Sequence, residues 1–196
     1  FAAVQALAQQ SGAYYALGIH PLYVAQAGDD AIDQLAAALL QQHAEPKLLA
    51  VGEIGLDFFV PALKAEPLRQ QQIDCYRAQI ALAQQYRLPL LLHSRDAVDA
   101  VLQALRAAHF AHGGIAHAFK GSMQQAQQFL DLGFKLGFGG ACTYSRALHL
   151  QDLARRLPAD AIVIETDSPD MPPTWTYTPK HMREAGAVPV PNTPLE

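Results

Sequence analysis

The chain of 196 residues is 51% apolar and 16% charged, the balance of a globular domain with a sizeable core, and a single domain over residues 1–196 is expected. A formal net charge of −4 gives no basic footprint for bulk duplex binding, although a metal centre could still draw phosphate locally. Two cysteines, Cys75 and Cys142, form neither a disulfide framework nor a CxxC knuckle, no apolar run reaches the roughly 18 residues of a membrane span, and no leader pattern is visible, so a cytoplasmic protein is expected.

Val4, Leu7 and Ala8 have helical spacing, and Ser11-Gly12 stops that segment. Tyr14 to Ile19 reads as a strand ending in His20-Pro21. Asp29 or Asp30 caps a second helix with Ile32, Leu35, Ala36 and Leu39 on one face, ended by Glu45-Pro46. Leu48 to Val51 is the next strand. Pro67 suits the first turn of a long helix carrying Ile73, Tyr76, Ile80 and Ala83, and Pro89 opens another strand. A helix with Val98, Val101, Leu102 and Leu105 follows, then a strand after Gly113-Gly114. A shorter helix with Met123, Ala126, Phe129 and Leu130 starts near Ser122, and Phe134 to Phe138 is a strand that ends in glycine. Leu150, Leu153 and Leu157 mark a helix before Pro158, and Ala161 to Ile164 the sixth strand.

Beyond Asp167 the chain becomes proline-rich, with Pro169, Pro172, Pro173, Pro179, Pro189, Pro191 and Pro194. Loop is expected there, with one short helix from Pro179 to Ala185, Trp175 and Tyr177 as a roof over the site, and no final helix before Leu195-Glu196.

Five strands finish on a chemical group: His20, Glu53, His93, His117 and Asp167. If the strands are parallel neighbours, these carboxylates and imidazoles converge at one end of a sheet, and that mixture is what borderline divalent metals accept. Near-continuous apolar strands alternating with helices predict a parallel α/β sheet. Active groups at the ends of many different strands, with neither GxGxxG nor GxxxxGK[ST], favour a (β/α)8 barrel of TIM type over a doubly wound sheet, with about six of eight units visible. The function read from these residues is a metal-dependent hydrolase.

Taken together, Gly18-Ile-His20-Pro21, Val51-Gly-Glu53-Ile-Gly-Leu-Asp57, Leu90-Leu-Leu-His93-Ser-Arg95, His117-Ala-Phe119-Lys-Gly121-Ser122 and Glu165-Thr-Asp167-Ser-Pro169 resemble, in order and spacing, the TatD family of metal-dependent hydrolases. The resemblance covers nearly the whole chain. It implies a metal-dependent barrel, deoxyribonuclease activity on a DNA substrate, and one or two divalent ions such as zinc, magnesium or manganese. Carried over by motif, Glu53 is the carboxylate shared between metals, His93 and His117 hold one metal, and Asp167 the other. Asp167 and Glu53 are then the catalytic carboxylates, with Asp167 orienting or deprotonating the attacking water, and His20 and Arg95 hold substrate phosphate. The family's first-strand His-x-His pair has no counterpart, which places Phe1 just before the third barrel strand and makes the domain incomplete at both ends. Leu22 replaces the second histidine of the GxHPH motif, and Phe58 stands where a tyrosine is common.

His20 can equally serve a purely structural His-Pro turn, Arg95 can pair with Asp96 or Asp99, and Asp57 reads as a loop-fixing group. Ser94, Ser122 and Ser168 lack a GxSxG elbow and read as caps and turns. Two other functions fit the same residues: an amidohydrolase-like enzyme acting on a small amide or ester, and a non-catalytic truncated barrel that binds a partner. No membrane and no obligate protein partner are expected.

Overall fold

The computed structural model describes residues 1–193; Pro194 of the proline-rich tail and the Leu195-Glu196 end lie outside the described residues. Six strands, β1 (Tyr15–Leu17), β2 (Leu48–Asp57), β3 (Leu90–Arg95), β4 (Gly114–Ala116), β5 (Phe134–Phe138) and β6 (Ile162–Ile164), form one sheet in chain order. Every neighbouring pair is parallel. Parallel neighbours need a crossover, and each connection carries helix. α1 (Ala2–Ser11) precedes β1, and α2 (Ala31–Gln42) leads to β2. α3 (Pro61–Lys64) and α4 (Leu68–Tyr86) lead to β3. α5 (Val98–Ala107), α6 (Met123–Asp131) and α7 (Leu148–Arg156) follow the next three strands, and α8 (Lys180–Glu184) lies in the tail. A doubly wound sheet reverses its strand order at a switch point; this one never does, so the strands stand like successive staves of a barrel.

The core fills the space between the sheet and the helix layer. Leu90 and Leu92 of β3 meet Val101, Leu102 and Leu105 of α5, all fully buried. Burying side chains of this kind contributes about 1.5–3 kcal/mol each. Strand alternation turns the intervening residues the other way. Leu91, Ile115 and Val163 line a concavity of about 250 Å³, and two residues further along the same faces come His93, His117 and Glu165.

α6 begins at a capping box, in which Ser122 Oγ accepts from Gln125 N at 3.1 Å and Gln125 Oε1 from Ser122 N at 2.9 Å. β2 is longer than the predicted Leu48–Val51 and runs through the Gly-Glu-Ile-Gly stretch to Asp57. α3 was not predicted; Pro61 opens it. The tail helix falls inside the predicted span. Of the two aromatic residues of the tail, Trp175 is 68% exposed and Tyr177 packs edge-on against Tyr144. Among the described residues no helix is long and apolar enough to cross a membrane.

Candidate metal centre

The register of β2 against β3 shifts between Val51 and Ile54. Glu53 sits in that irregularity, which turns its carboxylate towards the mouth of the sheet. Two glycines make the approach possible. A Cβ at Gly52 would run into Leu91, and at Gly55, where φ is +144°, into the His93 carbonyl.

Glu53 Oε1 lies 3.1 Å from His93 Nδ1 and 3.6 Å from His20 Nε2, and the two imidazole nitrogens are 3.1 Å apart. One ligand atom from each of the three residues lies within 4.8 Å of the others, so the trio has the dimensions of a metal site. The proton positions follow from the outer contacts. Leu22 N donates to His20 Nδ1 at 3.2 Å, so neutral His20 carries its proton on Nε2 and presents a donor to the mouth. His93 Nε2 faces Asp57 Oδ2 at 3.2 Å. Asp57 is fully buried, and its Oδ1 accepts from Phe59 N and Val60 N at 3.0 and 3.1 Å. Holding the Nε2 proton on that carboxylate leaves the His93 Nδ1 lone pair facing Glu53, the orientation that carboxylate–histidine–metal arrangements use.

Glu53 is a carboxylate throughout the physiological range. Burial alone would raise its pKa, but the proton that His20 Nε2 turns towards it, with the nearby charge of His117, holds it far below the usual carboxylate range. An anionic oxygen and an imidazole lone pair thus face each other at 3.1 Å, an arrangement that a cation between them stabilises.

The second group lies on the same concavity, whose lining includes Glu53, His117 and Glu165. His117 Nδ1 is 2.8 Å from Glu165 Oε2 and its Nε2 3.0 Å from Asp167 Oδ1. Burial alone would lower the His117 pKa; the bonds to Asp167 and Glu165 outweigh it and push the value up to about 10. Glu165 is fixed in turn by Ala118 N, which donates to its Oε1 at 2.7 Å. The loop behind is clipped: buried Asn192 donates through Nδ2 to Thr166 O at 2.5 Å and Asp170 O at 2.7 Å.

Sequence reasoning gave Glu165 no role. A trace of it stood in the strand that ends in glycine, since a Cβ at Gly137 would occupy the position of the Glu165 carboxylate. The structure groups the expected residues as Glu53 with His93 and His20, and His117 with Asp167. Arg95 pairs with neither Asp96 nor Asp99; among the described residues the Lys/Arg ion pairs are Arg156–Asp152 and Lys180–Glu184. Its guanidinium lies 3.7 Å from the Phe59 ring centroid. Two buried glutamines of α4 also went unread. Gln79 accepts from Ile19 N at 2.6 Å and donates to Ile19 O at 3.1 Å, and Gln72 accepts from Asp57 N at 2.9 Å.

Imidazoles and carboxylates at the C-terminal rim of a parallel sheet with barrel strand order define the class of metal-dependent barrel hydrolases. The family model for TatD related DNase matches residues 1–192, and the chain belongs to that family. It is 41% identical over 173 residues to the uncharacterized metal-dependent hydrolase YjjV of Escherichia coli K12, covering 88% of this chain and 64% of the relative. It is 34% identical over 165 residues to a Klebsiella pneumoniae protein named 3'-5' ssDNA/RNA exonuclease TatD, covering 83% and 60%. The crystal structure of YjjV superposes with a TM-score of 0.81 at 40% identity, over 89% of this chain and 65% of the other. The chain thus spans less than two thirds of the length of these relatives.

Proposed function

We propose that the chain carries the catalytic rim of a divalent-metal-dependent phosphodiesterase acting on nucleic acid, a TatD-like deoxyribonuclease. Glu53, His93, His117 and Asp167 are the ligands of one or two ions, zinc, magnesium or manganese. The observation that supports this best is the pairing of Glu53 with His93 and of His117 with Asp167 around one concavity, each imidazole backed by a further carboxylate. A divalent ion held there lowers the pKa of water and neutralises charge on phosphoryl oxygens.

The chain's own groups divide the remaining work. Asp57 and Glu165 fix the imidazole tautomers. Asp167 orients the attacking water and takes its proton, and Glu53 contributes negative charge to the ions. His20 offers its Nε2 proton to a phosphate oxygen, a role suited to the tautomer that Leu22 selects. Arg95 supplies further donors. The name of the Klebsiella relative supports nucleic acid as the substrate class.

The test is release of nucleotides from a single-stranded oligonucleotide with Mg²⁺ or Mn²⁺, run beside amide and ester substrates. Release abolished by EDTA and by Asp167→Asn is expected. An unchanged rate in that variant, or hydrolysis of the amides and esters in place of the oligonucleotide, overturns the proposal. A protein that takes up no divalent metal under elemental analysis is a binding module instead.

A further inference from the structure

Next to the strand ends that carry the ligands lie two cavities that Lys120 lines jointly. One, of about 500 Å³, lies against Phe58, Arg69, Ser94 and Arg95; the other, of about 510 Å³, against Tyr144, Arg146 and Tyr177. Each is within the roughly 300–1,000 Å³ range of small-ligand clefts. Both start where the metal-centre strands end, since Ser94 and Arg95 follow His93 directly and Lys120 comes three residues after His117.

The chemistry of these walls is that of a strand-binding track. In a chain of net charge −4, they gather Arg69, Arg95, Lys120 and Arg146, and no carboxylate lies within ion-pair distance of any of them among the described residues. Two of the guanidiniums are held over aromatic rings in advance: Arg69 Cζ lies 3.9 Å from the ring centroid of Phe58 and Arg95 Cζ 3.7 Å from that of Phe59. A guanidinium stacked in this way keeps its edge donors free for phosphate oxygens and has already lost much of its rotamer entropy. The buried Ser94 hydroxyl on the same wall has no hydrogen-bond partner. Across Lys120, Tyr144 and Tyr177 pack edge to face with centroids 5.6 Å apart and offer aromatic surface to a base. Alternation of cations with aromatic faces suits single strands, whose bases are free to stack, and not duplexes, whose bases are paired away. The acids of the first cavity are Asp96 and Asp99, and Asp99 is engaged by Gln125 Nε2 at 2.8 Å.

We propose that the cavities on either side of Lys120 are adjacent subsites for one nucleic-acid strand, with Lys120 and the stacked arginines on its phosphates and Tyr177 under a base. This rests on the phosphodiesterase reading for the direction in which the strand runs to the metals. Its test does not depend on hydrolysis. Fluorescence anisotropy of a labelled ten-nucleotide single strand is measured in EDTA against the intact 196-residue chain and against Lys120→Glu and Tyr177→Ala, with circular dichroism as the control for folding. Binding weakened tenfold or more in the folded Lys120→Glu protein, severalfold in Tyr177→Ala, and weaker for the matching duplex than for the single strand in the parent, is the expected result. Variant affinities within twofold of the parent, or a parent that prefers the duplex, overturn the proposal. Strand binding without metal-dependent cleavage would overturn the proposed reaction and uphold the track. Cleavage with a KM unmoved in Lys120→Glu would overturn the track alone.

Discussion

Two imidazoles of the mouth are each held at one nitrogen by a carboxylate that is itself fixed by backbone N–H groups: His93 by Asp57, His117 by Glu165. Removing such a support typically costs about 10–100-fold in metal affinity or activity, so Asp57→Asn and Glu165→Gln should each weaken Mn²⁺ binding by that factor in calorimetric titration. His93→Ala should weaken it more than His20→Ala, because His20 turns a proton and not a lone pair to the mouth; equal losses would return His20 to the ligand set. The metal-free protein also has a characteristic pH dependence. His117 keeps its proton to about pH 10 when folded, against about 6.5 unfolded, so its contribution is complete below the lower value and lost as pH rises through the higher. Glu53 runs the other way: its contribution is present above the ordinary carboxylate pKa and lost as pH falls below it. The thermal midpoint in EDTA should therefore be highest between about pH 5 and 6.5 and decline towards pH 10; a midpoint level across the alkaline range contradicts the His117 assignment.

At the scale of elements, α4 positions two rim residues through side chains that its apolar stripe conceals. Gln72 and Gln79 lie seven residues apart on the face that also buries Tyr76, Ile80 and Ala83. Periodicity registers that face as core, and nothing in a run of glutamines says which ones lie inside. Gln79→Leu leaves both the N–H and the carbonyl of Ile19 without a partner beside His20, and should cost about 1–3 kcal/mol in urea denaturation. Gly137→Ala crowds the Glu165 carboxylate and should cost about 1–3 kcal/mol, with a matching loss of metal affinity. The strands and helices themselves were legible, because apolar runs closing on a histidine or acid recur with helical spacing between them. Phe134–Phe138 was read to the residue. β2 was cut short at Val51 because glycines and a buried acid break the apolar pattern, yet Gly52 and Gly55 are what let the strand pass close to β3. The five strand-end groups were legible for the same reason; the pairing between them was not, since contacts across 40 residues (Glu53 to His93) and 50 (His117 to Asp167) depend on the stagger of strands.

Over the whole molecule, an overall negative charge and a local set of cations predict different salt behaviour from that of a basic duplex binder. If Arg69, Arg95, Lys120 and Arg146 all engage phosphates, the logarithm of single-strand affinity should fall against the logarithm of salt with a slope of about −3, and Lys120→Ala should reduce its magnitude by about 0.7. A slope near zero would leave binding to stacking alone. The sheet order supports the same picture, because consecutive parallel strands bring groups from residues 20 to 167 to one rim.

Asn192 gives the proline-rich end a use that its composition hides. By fastening to Thr166 and Asp170 it straddles Asp167, while the segment leading to it passes through exposed Arg183 and Gly186. A protease that nicks the chain at Arg183 would thus unhook the brace from the acid it steadies, and digestion should weaken Mn²⁺ binding with Glu53, His93, His117 and Asp167 all still in place.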